Sequence, residues 1–157
     1  MAEPQIRTKP YAVYKKTAAM RLTFIPARIF ERDGNKQVAD PFAYLEVAPV
    51  REFTKEVKSY KWEENKIGVK LGMSDLQEIA YALSRGTSCK LFHEWDGTTK
   101  TIELARAEDT SRSPYFLTVN QKTPDGQTSK VGIPISASEA YAISKLTDYA
   151  IPAILNW

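Results

Sequence analysis

Apolar and polar residues alternate one by one along most of this chain, and that alternation restricts the fold more than any other feature. Met20, Leu22 and Phe24 alternate with Arg21 and Thr23. Ile67, Val69 and Leu71 alternate with Lys66, Gly68 and Lys70. Tyr115, Leu117 and Val119 do the same, and so do Val131, Ile133 and Ile135. A period of two belongs to a strand with one face in a core and the other in water. Tyr11–Lys15, Phe42–Val47, Cys89–Trp95 and Thr101–Arg106 bring the predicted strands to eight. Turn residues separate several of them: Asp33-Gly34-Asn35, Asp96-Gly97 and Pro124-Asp125-Gly126.

Two segments have helical spacing instead. Leu76, Ile79, Ala80 and Leu83 fall on one helical face, with Ser74 and Gln77 spaced as a capping box and Gly86 as a stop. Ser136 and Glu139 repeat the box before a second helix, whose predicted stripe is Ile143, Leu146, Tyr149 and Ala150. Pro152 is expected to kink or end it, leaving Ile154, Leu155 and Trp157 as an apolar tail. The order is four strands, a helix, four strands, a helix. Short turns force antiparallel pairing, so the predicted class is α+β with two four-stranded antiparallel sheets. Residues 1–10 are expected to be a flexible lead, and 11–157 a single domain. The second helix is apolar beyond one stripe, which predicts burial in an oligomer.

The 157 residues suit one domain, and no apolar run approaches the roughly 20 residues of a membrane helix. No secretory signal is read at the N-terminus. Cys89 is the single cysteine, so no internal disulfide forms and a reducing intracellular compartment is expected: cytoplasm, nucleoid or, after import, an organelle. One Cys and one His also argue against a structural zinc site, and no cofactor motif is present. Net charge is only +3, but residues 1–30 hold Arg7, Lys9, Lys15, Lys16, Arg21 and Arg28 against Glu3 alone. That basic front suits a polyanionic partner.

No constellation for catalysis stands out. On one strand Cys89 and His93 would lie roughly 13 Å apart, beyond hydrogen-bond reach. No serine sits in a nucleophile elbow and no glycine-rich loop precedes a helix. The expected protein is therefore not an enzyme. What remains is aromatic side chains interleaved with basic ones. Flat rings stack on unpaired bases while cations follow phosphates, and a duplex hides its base faces. The candidate contacts are Tyr14, Lys15, Lys16, Arg21, Lys58, Tyr60, Trp62, Lys66, Lys90, Phe92, His93, Trp95 and Lys122. Phe92 shares a strand face with Lys90, so it is expected to be more exposed than Leu91.

The segment SCKLFHEWDG (Ser88–Gly97) resembles the Ser-Cys-x-Phe-Phe-His-Asp-Pro stretch of Whirly single-stranded DNA-binding proteins. YAVYKKTAAMRLTFIP (Tyr11–Pro26) is similar to the family's Tyr-x-x-Tyr-Lys-Gly-Lys-Ala-Ala-Leu stretch, and FAYLEVAPV to Leu-Leu-Gln-Phe-Ala-Pro-Ala-Val. YKWEENKIGVKLGMSDLQEI follows Tyr-Asp-Trp-x-x-Lys before a strand and helix, YFLTVNQ and VGIPIS resemble the last two strands, and Pro152 to Trp157 resembles the terminus. The matches run in order from about residue 11 to 157. The resemblance implies two four-stranded sheets, helices at the centre of a homotetramer, and largely sequence-independent binding of single-stranded DNA in replication, repair or recombination. It gives Lys15 the first motif lysine and Ala18 and Ala19 the alanines, whereas Lys16 stands in place of the motif glycine and Thr17 in place of the second lysine. An RNA-binding or annealing protein of related fold and an oligomeric protein-interaction scaffold are the alternatives.

Overall fold

In the computed structural model, which describes residues 9–39, 42–53, 58–108 and 113–155, eleven strands and two helices follow one another. The strands β1 (Tyr11–Tyr14), β2 (Ala18–Ile25), β5 (Phe42–Phe53), β6 (Lys58–Tyr60) and β7 (Ile67–Leu71) make the first sheet. The order runs β1-β2-β5, and the far edge of the long β5 is shared by β7 and β6. The second sheet is a four-stranded meander of β8 (Cys89–Trp95), β9 (Thr98–Arg106), β10 (Tyr115–Lys122) and β11 (Thr128–Ile135). All pairings are antiparallel. Helix α1 (Met73–Arg85) follows the first sheet, and α2 (Ala137–Leu155) follows the second. The expected plan of two antiparallel sheets, each followed by a helix, holds, but the first sheet has five strands where four are expected, because the short β6 adds to the edge of β5.

Three strands do not show as alternation. Besides the short β6, β3 (Arg28–Arg32) and β4 (Asn35–Ala39) form a separate two-stranded arm. Almost every arm residue is exposed, so no buried face writes a period of two into its sequence. The turn does show itself. Arg32 pairs with Asn35, leaving Asp33 (φ 53°) and Gly34 (φ 76°) as a two-residue loop. Asp96 (φ 51°) and Gly97 (φ 77°) join β8 to β9 in the same way. Two consecutive left-handed residues make the hairpin turn that matches strand twist, and Asp-Gly tolerates it. The arm prolongs the β2–β5 ladder in one register: Ile25 lies opposite Phe42, and three residues further Arg28 lies opposite Ala39. Pro26 has no N–H to offer where the two ladders part.

Each large sheet turns one face inward. Met20, Leu22, Leu45, Val47, Ile67 and Val69 from the first meet Leu91, Ile102, Leu117, Val119, Val131 and Ile133 from the second in a continuous core. Burial of each such side chain contributes about 1.5–3 kcal/mol, so one-residue slips of register are strongly excluded. The helices close the core from one side and pack on each other. Helix α1 begins earlier than the Ser74–Gln77 pattern indicates: Gly72 is the N-cap, and its N–H donates to Asp75 Oδ2 at 2.9 Å. A carboxylate is the stronger acceptor there and suits the positive helix end. Gly86 ends the helix in the left-handed conformation, as expected.

On α2 the buried stripe is Ala140, Ile143, Thr147 and Ala150, and Tyr149 points outward. Thr147 can be fully buried because its hydroxyl donates to its own helix, with Ile143 and Ser144 carbonyls at 2.9 Å. The helix continues past Pro152 to Leu155, since the proline removes one donor without ending the last turn. Residues 1–8 of the expected 1–10 lead and residues 156–157 at the end of the tail lie outside the described residues, as do the side chains of Ile154 and Leu155.

The capping box of α2 is complete and has a third member. Ser136 N–H donates to Glu139 Oε2 at 2.7 Å, and Glu139 N–H donates to Ser136 Oγ at 3.3 Å. Lys15 Nζ, from the β1–β2 turn, donates to Glu139 Oε1 at 2.8 Å. Burial raises the Glu139 pKa, but the Lys15 and Ser136 hydrogen bonds and the Lys15 charge outweigh it and hold the carboxyl below its ordinary 4.5. A lowered folded pKa stabilises the fold fully above about pH 4.5, and that stabilisation disappears as pH falls through the folded value. Glu139→Gln keeps a capping acceptor but loses the charge that Lys15 meets, and is therefore expected to cost up to about 1 kcal/mol at neutral pH and to remove this part of the acid dependence. Urea denaturation at pH 3 to 7 (roughly the range over which carboxyls titrate) measures both.

Candidate nucleic-acid interface

With both inner faces in the core, the outer faces carry what remains. On the first sheet, Ala19 and Ala48 lie beneath Tyr60, with Trp62 packed beside it. Their small size makes room for the rings. Tyr14 and Tyr60 are 5.6 Å apart between centroids, and Tyr60 and Trp62 are 6.4 Å apart. The Arg21 guanidinium lies 3.7 Å over the Trp62 ring. A ladder of Tyr14, Tyr60, Trp62 and Arg21 thus crosses this face. Its middle is structural: Tyr60 is buried and its hydroxyl donates to the Lys15 carbonyl at 2.7 Å. Burial, then the Tyr14 hydroxyl, raises the Tyr60 pKa. Tyr14 at the end of the ladder is exposed.

The second sheet presents a different outer face. Lys90 of β8 lies opposite Glu103, and Phe92 lies opposite Thr101. The rows continue through Thr118 to Gly132 and through Asn120 to Lys130. Phe116 lies over Gly132, where an added Cβ would come within 2.7 Å of the ring. The result is a low polar floor from which two exposed rings, Phe92 and Phe116, stand up, with Lys90, Lys122 and Lys130 around them. Leu91, one residue from Phe92, is buried, as the alternation predicts.

Between the sheets a cleft of about 620 Å³ opens, bordered by Tyr44, Gly68 and Lys70 on one side and His93, Trp95 and Lys100 on the other. Trp95 stands at its rim and is 84% exposed. The Lys100 ammonium donates to the Gly68 carbonyl, and desolvation lowers its pKa. His93 shares the inward side of β8 with Leu91 and Cys89; its Nε2 lies 3.1 Å from Asp75 Oδ2 at the start of α1 without good hydrogen-bond alignment. Burial pushes the Cys89 thiol pKa up, which keeps it protonated and a poor nucleophile.

The candidate cations separate by partner. Lys15 is held by Glu139, Arg21 approaches Glu46 at 3.7 Å, and Lys66 pairs with Glu46 at 2.8 Å. Among the described residues no carboxylate pairs with Lys16, Lys90 or Lys122. Lys58 opens β6, and its side chain lies outside the described residues. Tyr14, Lys15, Lys16, Arg21, Tyr60, Trp62 and Lys66 therefore gather on or near the first sheet, Lys90, Phe92 and Lys122 on the second, and His93 and Trp95 at the cleft. Beyond these candidates, the structure places Tyr44, Lys70 and Lys100 at the cleft and Phe116 and Lys130 on the outer face of the second sheet. Phe116 and Lys130 are legible as polar-side partners in strands that alternation reveals, whereas the cleft residues need the packing of one sheet on the other.

Sequence comparison matches residues 13–146 to the family described as Whirly transcription factor. No curated protein sequence matches the chain. Among solved structures, the plant transcriptional regulator PBF-2 is similar with a TM-score of 0.81 at 19% identity, over 99% of this chain and 86% of that one. WHY1 from Arabidopsis thaliana is equally similar (0.81, 19%), over 99% of this chain and 89% of its own. The Trypanosoma brucei MRP1/MRP2 structures reach 0.59 at 14% identity, over 94% of this chain and 86% of theirs. At such identities the likeness is one of fold.

Two substitutions separate structural rings from exposed ones. Tyr60→Phe is expected to lose about 1 kcal/mol of stability, because the Lys15 carbonyl loses its donor. Trp95→Ala is expected to stay within about 0.5 kcal/mol of the parent, as an exposed site should. Chemical denaturation of both variants distinguishes them.

Proposed function

The chain belongs to the Whirly family, and from that premise we propose that it is a non-catalytic protein that binds single-stranded DNA largely without regard to sequence. The observation that carries this reading is the position of Phe92, Phe116 and Trp95. They are 65%, 44% and 84% exposed, on or beside a sheet whose other face is buried in the core. Rings in water beside unpaired lysines are suited to bases with open π faces, and every base has such a face, so the contact tolerates sequence. A duplex offers phosphates to the lysines and nothing to the rings. The protonated Cys89 and the inward-turned His93 support the absence of a nucleophile and base pair.

The same reading gives the protein a protective role on exposed strands in replication, repair or recombination, inside a reducing compartment where the single thiol stays reduced. It also assembles as a homotetramer through the helices. Tyr81, Tyr141 and Tyr149 stand exposed on α1 and α2, away from the sheet faces, which is where a helical interface would cover them. Light scattering of the purified protein reads the mass directly; a monomer would remove the tetramer from the proposal.

Fluorescence anisotropy with oligo-dT, matched duplex and matched RNA across a salt series tests binding. Oligo-dT is expected to bind more tightly than duplex, with affinity falling steeply as salt rises. Equal or tighter duplex binding, or no binding at low salt, would overturn the reading. A salt-insensitive interaction would instead favour a protein scaffold. RNA bound as tightly as DNA would show that the 2′-hydroxyl is not discriminated. Trp95→Ala and Phe92→Ala are each expected to cost about 1–3 kcal/mol of oligo-dT binding, the usual value of one stacked base.

A further inference from the structure

The β3–β4 arm contributes nothing to either core cluster, yet its side chains are sorted by chemistry. On one face Arg28, Phe30 and Arg32 follow one another, with Ala39, Gln37 and Asn35 opposite them. On the other, Ile29 lies opposite Val38, and Glu31 opposite Lys36. The first face therefore carries two guanidinium groups and no carboxylate. The arm's carboxylate between them in sequence, Glu31, is turned to the second face and matched across the ladder by Lys36. Phe30 is 42% exposed, although a lone aromatic on a ribbon gains nothing by facing water.

We propose that the Arg28–Phe30–Arg32 face is a further single-strand contact, in which the ring stacks on a base and the two guanidinium groups hold flanking phosphates. The inference rests on the single-strand reading above and extends it beyond the two sheets. Alternate residues on a strand stand roughly 7 Å apart, so one ring is flanked on both sides by a cation along the ribbon. Guanidinium suits this position better than ammonium would, because its planar fork binds phosphate oxygens in pairs. In the register shared with β2 and β5, Arg28, Phe30 and Arg32 continue the side of Met20, Leu22 and Phe24 beyond the core, so a strand held there is separate from the outward rings of the first sheet. A protein partner is the weaker occupant. Ile29 and Val38 alone form a patch far below the roughly 800 Å² per partner of a stable interface.

The test compares full-length protein with Arg28→Ala plus Arg32→Ala, with Phe30→Ala, with Val38→Thr on the opposite face, and with Phe92→Ala on the second sheet. Because the arm adds no side chain to the core, the arm variants should melt with the parent. Oligo-dT affinity is expected to fall about tenfold in the double variant, and the slope of log affinity against log salt to flatten by about 0.7 for each phosphate that is no longer neutralised. Phe30→Ala is expected to lower affinity with the slope unchanged, and Val38→Thr to change neither. If the double variant keeps affinity and slope while Phe92→Ala weakens binding, the role of the arm is overturned and the single-strand reading stands. If the parent binds no oligo-dT, both fall. A changed mass in light scattering with an unchanged slope would assign the arm to protein contacts and overturn the inference.

Discussion

Each large sheet has one apolar side, and the two apolar sides share a single core with the helices. Everything else about the surface follows from this constraint. Once Leu22, Val47, Ile102 and Val119 point inward, alternation sends Arg21, Glu46, Thr101 and Asn120 outward with no further choice. An aromatic in the outward set can be covered by a neighbouring loop or left in water, and both outcomes occur. Trp62 lies against Ala48, Tyr60 and the Arg21 guanidinium, whereas Phe92 on the second sheet has no such cover.

The ion pairs then divide the candidate cations into those that a carboxylate engages and those that none engages among the described residues. Lys15 links the β1–β2 turn to the first turn of α2, so the carboxylate of Glu139 serves a helix cap and a tertiary contact together. Arg21 and Lys66 converge on Glu46. Of the candidate cations with described side chains, Lys16, Lys90 and Lys122 have no such carboxylate partner.

Much of this is legible in the residues. The eight alternating strands, three turns, the Ser136–Glu139 box and the Gly86 stop all stand where local physics puts them. The arm is not legible as strands, since strand recognition depends on a buried face and the arm has none. Helical spacing alone draws the aromatic Tyr149 into the α2 stripe, while the smaller Thr147 occupies the buried position by bonding back to its own helix. For Lys15 the motif carries the residue, but Glu139 lies 124 positions away and nothing local announces the pair.

The sequence by itself determined which residues share a face, because a strand's period of two and a helix's 3.6 are properties of the backbone alone. It therefore decided that Phe92 stands with Lys90 and apart from Leu91. Only the tertiary structure decided which of those faces stays in water and which cations remain unpaired. That depends on what packs across from them, such as Asp75 beside His93 or Tyr60 over Ala19 and Ala48. Burial and ion pairing are set by residues distant along the chain, and no local pattern contains that information.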